Sequence, residues 1–115
     1  MAVLLIAVAG AAGVLARYGI GQLTPSLWAT FAVNVAGSFA VGLLVHLGRD
    51  WSSEARDAVG IGFLGGFTTF STFTVQAVLE TDGGRPGLAA LYVGASVGVG
   101  LAAASAGYLA GRAIA

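Results

Sequence analysis

The chain has 115 residues, of which only 9% are charged, and a mean hydropathy of +0.91. A soluble domain carries about 25% charge, so ordinary soluble folding is excluded. Five acids balance five arginines, which leaves no electrostatic ground for nucleic-acid binding, and the lack of cysteine rules out disulfides, thiol nucleophiles and Cys-ligated metals.

Four long stretches are free of Asp, Glu, Lys and Arg: Ala2–Ala16, Leu27–Gly48, Ala58–Leu79 and Gly87–Gly111. A helix needs roughly 20 apolar residues to cross about 30 Å of hydrocarbon. The last three stretches meet that length, and the first does so if Arg17 lies within or at the end of the span. The first stretch lacks the basic leader of a signal peptide, and Arg17-Tyr18 reads as a helix-end anchor. The prediction is four transmembrane helices over residues 2–22, 27–48, 55–80 and 87–113, forming one all-α membrane domain over 1–115. Pro25 fits the first turn. Ser52 or Ser53 suits the cap of the third helix, with Glu54 and Asp57 in its first turn. Asp82-Gly83-Gly84 with Pro86 breaks the chain before the fourth.

Orientation is almost undecided by charge. An even number of spans puts Arg49, Arg56 and Arg112 on one side, and Arg17 and Arg85 on the other. The Lys/Arg bias that sets topology is therefore a single charge, compatible with copies that insert both ways. Nineteen glycines imply close helix approach. Gly94 with Gly98, Gly107 with Gly111, and Ala9 with Gly13 have the spacing of small-residue helix contacts. Four thin helices enclose little interior, which favours an oligomer.

Polar residues inside the spans carry the functional signal. Thr30, Asn34 and Ser38 recur every four residues and so share one face of the second helix. Tyr92 and Ser96 do the same in the fourth. The third contains GFLGGFTTFSTF, residues 62–73, where Thr68, Thr69, Ser71 and Thr72 interleave with Phe70 and Phe73. Such hydroxyls and glycines are tolerated at membrane depth only against protein or a wet cavity. Gly65-Gly66 weakens the helix and the threonines compete for its backbone, so a break near 65–69 is predicted. Carbonyls freed by a break need a partner: hydroxyls, water or a cation with oxygen ligands. No carboxylate lies in the three central runs, which disfavours proton coupling. His46, near the end of its span, reads as interfacial. Arg17 is the one ionisable group expected at depth, and beside hydroxyl donors it suits an anion. No catalytic triad, metal-ligand cluster or phosphate loop is present, so the chain does not read as an enzyme.

These residues resemble the Fluc family of small fluoride channels, the CrcB-like proteins, over nearly the whole chain. The resemblance rests on Gly10, Gly13 and Arg17-Tyr18, on Thr30, Asn34 and Gly37-Ser38-Phe39, and above all on residues 62–73. It implies an inverted, dual-topology dimer of four-helix subunits, homomeric or paired with a sister subunit, with two pores in a lipid plasma (inner) membrane. It implies fluoride as the conducted ion, exported passively to limit toxicity. It also implies a structural Na+ held by backbone carbonyls of Gly65 and Thr68 from both subunits. Phe70 and Phe73 correspond to the pore phenylalanines, Asn34 to the pore amide and Arg17 to the vestibule cation. Thr30, Ser71, Thr72, Tyr92 and Ser96 correspond to hydroxyls along the track. Family members often carry a further hydroxyl one turn beyond Ser96, where this chain has Gly100.

The chemistry agrees with that role. Ring edges are electropositive, and amide and hydroxyl donors replace water around an anion without trapping it. Two alternatives remain at this stage. A small multidrug exporter needs a carboxylate in the first helix, and residues 2–22 contain none. A non-transporting membrane assembly subunit would have polar residues that satisfy one another with no continuous path.

Overall fold

The computed structural model describes residues 1–115 and is entirely helical. Helix α1 covers Ala2–Leu23 and α2 covers Leu27–Leu47. The third span, Ser53–Asp82, is composite. It begins as α3 (Ser53–Asp57), widens into a π-helical segment (Ala58–Leu64), returns to α4 (Gly65–Phe67), breaks, and resumes as α5 (Ser71–Asp82). Helix α6 runs from Pro86 to Ile114. The four spans contain 22, 21, 30 and 29 residues and are apolar enough to cross a bilayer. The chain is therefore a multi-pass membrane protein.

Local chemistry sets the boundaries. The Ser26 hydroxyl accepts the Trp28 N–H at 3.0 Å and starts α2. The Ser52 hydroxyl accepts the Ala55 N–H at 3.1 Å and starts α3, so Ser52 rather than Ser53 is the cap. Pro86 opens α6 at its first position, where its missing N–H costs nothing.

Glycine determines how the helices meet. Helices α2 and α6 pack along much of their length. A Cβ at Gly107 would collide with the Phe39 carbonyl, one at Gly42 with the Ala104 carbonyl, and one at Gly111 would lie 2.8 Å from the Leu43 carbonyl. On the other side, Gly13 admits the Phe63 carbonyl against α1, and a Cβ at Gly62 would stand 2.9 Å from that of Ala9. The Gly107/Gly111 and Ala9/Gly13 pairs thus serve contacts within the subunit. Gly94 and Gly98 face open space.

A side chain at Gly107 must push two backbones apart. Gly107→Ala is expected to destabilise the subunit by about 1–3 kcal/mol, the usual cost of overpacking. Gly94→Ala should leave stability unchanged. Thermal melts of both variants in detergent, followed by circular dichroism, check the contrast.

Only 13 of the 115 residues are buried, the apolar ones being Ala29, Val33, Leu64, Phe73, Ala89 and Tyr92. Most apolar side chains therefore point outward, as a bundle covered by lipid or by another protein surface requires. His46 lies in the last turn of α2, near the end of its span. Both ring nitrogens are buried without a protein partner, and the ring packs on Tyr108 with centroids 4.6 Å apart. The α2–α6 contact, which brings Tyr108 over it, draws it inward.

Candidate functional site

The break in the third span is the organising feature. Thr68 has extended backbone, φ −89° and ψ 158°, and regular helix resumes only at Ser71. The interruption thus begins later than the glycine pair suggests. Gly65 and Gly66 remain helical, and a Cβ at Gly66 would stand 2.5 Å from the Gly10 carbonyl of α1. The pair provides close approach, and the threonines provide the break.

Four side chains hold the interruption open. Asn34, from the middle of α2, donates from Nδ2 to the Thr69 carbonyl at 2.9 Å and accepts the Thr69 N–H on Oδ1 at 2.8 Å. One amide thereby satisfies both backbone groups of one residue. The Thr68 hydroxyl turns back to the Leu64 carbonyl at 3.0 Å. The Thr69 hydroxyl accepts the Thr72 N–H at 3.2 Å and so satisfies an amide in the first turn of α5. Arg17 Nε, from α1, donates to the Gly66 carbonyl at 3.2 Å, a cation placed where helix α4 leaves its carbonyl ends.

The break frees further carbonyls, those of Gly65 and Thr68 among them. In a continuous helix the Gly65 carbonyl would receive the Thr69 N–H, and the Thr68 carbonyl the Thr72 N–H. Both amides are diverted, the first to Asn34 and the second to the Thr69 hydroxyl. Gly65 is exposed on the subunit surface and Thr68 half-buried. These are the two residues expected to hold a cation, and neutral carbonyl oxygens suit a hard one.

Two cavities meet at the break. A polar vestibule of about 410 Å3 is lined by Arg17, Thr30, Thr69, Thr72, Gln76 and Glu80, among others. An apolar groove of about 860 Å3 runs along the side of the subunit and is lined by Asn34, Ser38, Thr68, Thr69, Phe70, Phe73 and residues of α6. Thr69 belongs to both. Arg17, Thr30 and Thr72 thus gather on one side of the joint, and Asn34, Phe70 and Phe73 on the other.

The two phenylalanines are unlike in their surroundings. Phe70 is 77% exposed, whereas Phe73 is 8% exposed and wedged between Phe70 and Tyr92, with centroids 5.9 and 5.1 Å away. Tyr92, Ser96 and Ser71 line neither cavity. Tyr92 is wholly buried, edge-on to Trp28, and its hydroxyl donates to Gln76 Oε1 at 2.7 Å. The Ser96 hydroxyl is buried with no protein partner, and Ser71 faces outward. Beside Gly100, where a hydroxyl is missing from α6, the Ser38 hydroxyl of α2 stands 3.9 Å from the Cβ position.

Three contributors escape the sequence reading. Thr69 reads there as a helix breaker and not as the shared wall. Gln76 and Glu80 follow Thr72 at intervals of four and so continue its face, a pattern the sequence displays. Outside the membrane, Arg85 pairs with Glu80, and this hydrogen bond and the carboxylate charge raise the guanidinium pKa above its ordinary value. As a guanidinium, Arg85 is cationic throughout the physiological range.

A family model described as CrcB-like protein, Camphor Resistance (CrcB), matches residues 4–108. A fluoride-specific ion channel FluC of Thermus thermophilus is 41% identical over 119 residues, covering 96% of this chain and 95% of that protein. The protein of the same name from Rhizobium leguminosarum bv. trifolii is 43% identical, with 97% of each chain covered. That of Agrobacterium fabrum is 44% identical, with 94% of each covered. With the match spanning all four helices and the break within the third, this chain belongs to the CrcB-like family.

Proposed function

We propose that this protein is a subunit of a passive, fluoride-selective channel that exports fluoride across a prokaryotic plasma membrane and so limits its toxicity. The observation that carries the reading is the joint at Thr69, where a cationic vestibule and a phenylalanine-lined groove share one wall. Full-length similarity to proteins named fluoride-specific channels supplies the ion.

In this reading Arg17 draws the anion into the vestibule. The Thr30 and Thr72 hydroxyls replace its first waters. Asn34 spends one N–H on the Thr69 carbonyl, and its second remains for the ion. The positive ring edges of Phe70 and Phe73 then accompany the ion along the groove. Several modest contacts in series allow entry and exit. Tyr92, committed to Gln76, holds Phe73 in place. Ser96 keeps an uncommitted hydroxyl close by, and Ser71 contributes from the outward face beside Phe70.

A single subunit does not enclose this path. The groove is open along its length, and Phe70 would stand in lipid. A second copy closes it, and the one-charge Lys/Arg bias suits an inverted partner, either identical or a sister chain. The Gly65 and Thr68 carbonyls fit a structural Na+ shared by two subunits. Two neutral oxygens from each chain would supply four of the oxygen ligands that a hard cation takes. Such an ion would compensate freed carbonyls and lock the break, whereas Asn34 and the threonines position the path.

The spans offer no buried carboxylate for proton-driven export, since Glu80 and Asp82 lie in the last turn of α5. A passive channel and a coupled exporter differ electrically. Planar bilayers containing the purified protein should pass ohmic fluoride current with no proton gradient. Current that requires such a gradient would show a coupled transporter instead.

A further inference from the structure

The third span ends in a turn that returns a cation onto a carboxylate at the rim of the vestibule. Gly84, at φ +83°, is the one residue with left-handed backbone. Its conformation lets the Gly84 N–H bond the Thr81 carbonyl at 3.1 Å and the Arg85 N–H bond the Glu80 carbonyl at 2.8 Å. This is the Schellman closure of a helix C-terminus, which brings the second residue after the C-cap back over the last turn. An apolar contact commonly fills that position. Here the two residues are Arg85 and Glu80, and Arg85 Nε donates to the Glu80 carboxylate.

The location of the carboxylate gives the pair meaning. Glu80 lines the same vestibule as Arg17, and Arg17 is the only cation on that wall. Left bare, Glu80 would cancel it. The Glu80 side chain is 19% exposed, inside the cleft mouth, whereas Arg85 is 59% exposed and reaches it from outside. With Arg85 paired, the mouth keeps one net positive charge. An exposed ion pair adds little to stability, but a charged cleft with low-dielectric walls concentrates its ion.

We propose that Arg85 neutralises the Glu80 carboxylate at the vestibule mouth and thereby sets the rate at which the channel captures its anion. The inference rests on the fluoride-channel reading. Arg85 is a positioning and charge-setting residue that does not touch the conducted ion. Its effect is kinetic, greatest at low fluoride, and screened by salt. The screening length falls from about 30 Å at about 0.01 M to about 3 Å at about 1 M.

The test is the initial rate of fluoride release from vesicles containing the full-length protein, at sub-saturating fluoride, in both salt regimes. Arg85→Gln should slow release roughly three- to tenfold at low salt and match the wild type at high salt. Adding Glu80→Gln should restore the wild-type rate, and Arg85→Lys, which keeps the charge, should preserve it. An Arg85→Gln rate equal to wild type at low salt overturns the inference alone. So does a double variant as slow as Arg85→Gln, which would assign Arg85 to the fold of the turn. A silent wild type overturns the inference together with the channel reading.

Discussion

Replacing Asn34 with Asp should all but abolish fluoride conduction while leaving the subunit folded. The introduced carboxylate can still accept the Thr69 N–H, so half of the brace survives. It cannot donate to the Thr69 carbonyl, which Asn34 Nδ2 reaches at 2.9 Å. A lost neutral hydrogen bond costs about 1 kcal/mol. The larger effect is electrostatic. Two like charges about 4 Å apart repel by about 4 kcal/mol at the effective dielectric of a partly wet protein site. That corresponds to a fall in flux on the order of a thousandfold. Fluoride release from vesicles, with size-exclusion profiles to verify assembly, measures it. Unchanged flux would remove Asn34 from the ion path and leave it as a brace only.

Phe70→Ile should have a smaller but more discriminating effect. Phe70 is 77% exposed and touches Phe73 only at a tilt, so the fold of the subunit loses little. What disappears is the electropositive ring edge. At about 1 kcal/mol for such a contact, flux should fall several-fold or more, with unaltered melting. Phe73→Ile, by contrast, should lower both flux and stability, because Phe73 is packed against Tyr92. If both variants conduct normally, the rings are packing residues and the aromatic role is wrong.

The parts legible in the sequence are those set by local chemistry. Charge-free length yields four spans, which match the helices within two residues at each end. Ser52, Pro86 and the Gly83-Gly84 turn mark boundaries because caps and left-handed residues act within a few positions. The four-residue rhythm of Thr30, Asn34 and Ser38 places the polar face of α2, with Asn34 and Ser38 in the groove and Thr30 in the vestibule. The same rhythm runs through Thr72, Gln76 and Glu80, but only the fold shows that it forms the vestibule wall.

The remainder depends on contacts distant in sequence. Nothing in Ala58–Leu64 announces a π-helical turn. It arises where Gly62 of the third span nests against α1. Gly65-Gly66 looks like the weak point, but α1 packs against Gly66 and keeps it helical. The break falls instead at the residues whose backbone Asn34 captures, 35 positions away. Arg17 reaches the Gly66 carbonyl across 49 positions, a partnership invisible without the fold. The unlike burial of Phe70 and Phe73 also escapes a reading based on their spacing alone, because it depends on where Tyr92 of α6 sits.

The central claim is that the Thr69 joint carries fluoride through the membrane. The most direct test is a fluoride electrode trace from vesicles containing the purified protein, loaded with fluoride or with chloride. Rapid fluoride release with chloride retained is the predicted result. Vesicles that hold fluoride as tightly as protein-free lipid would contradict it.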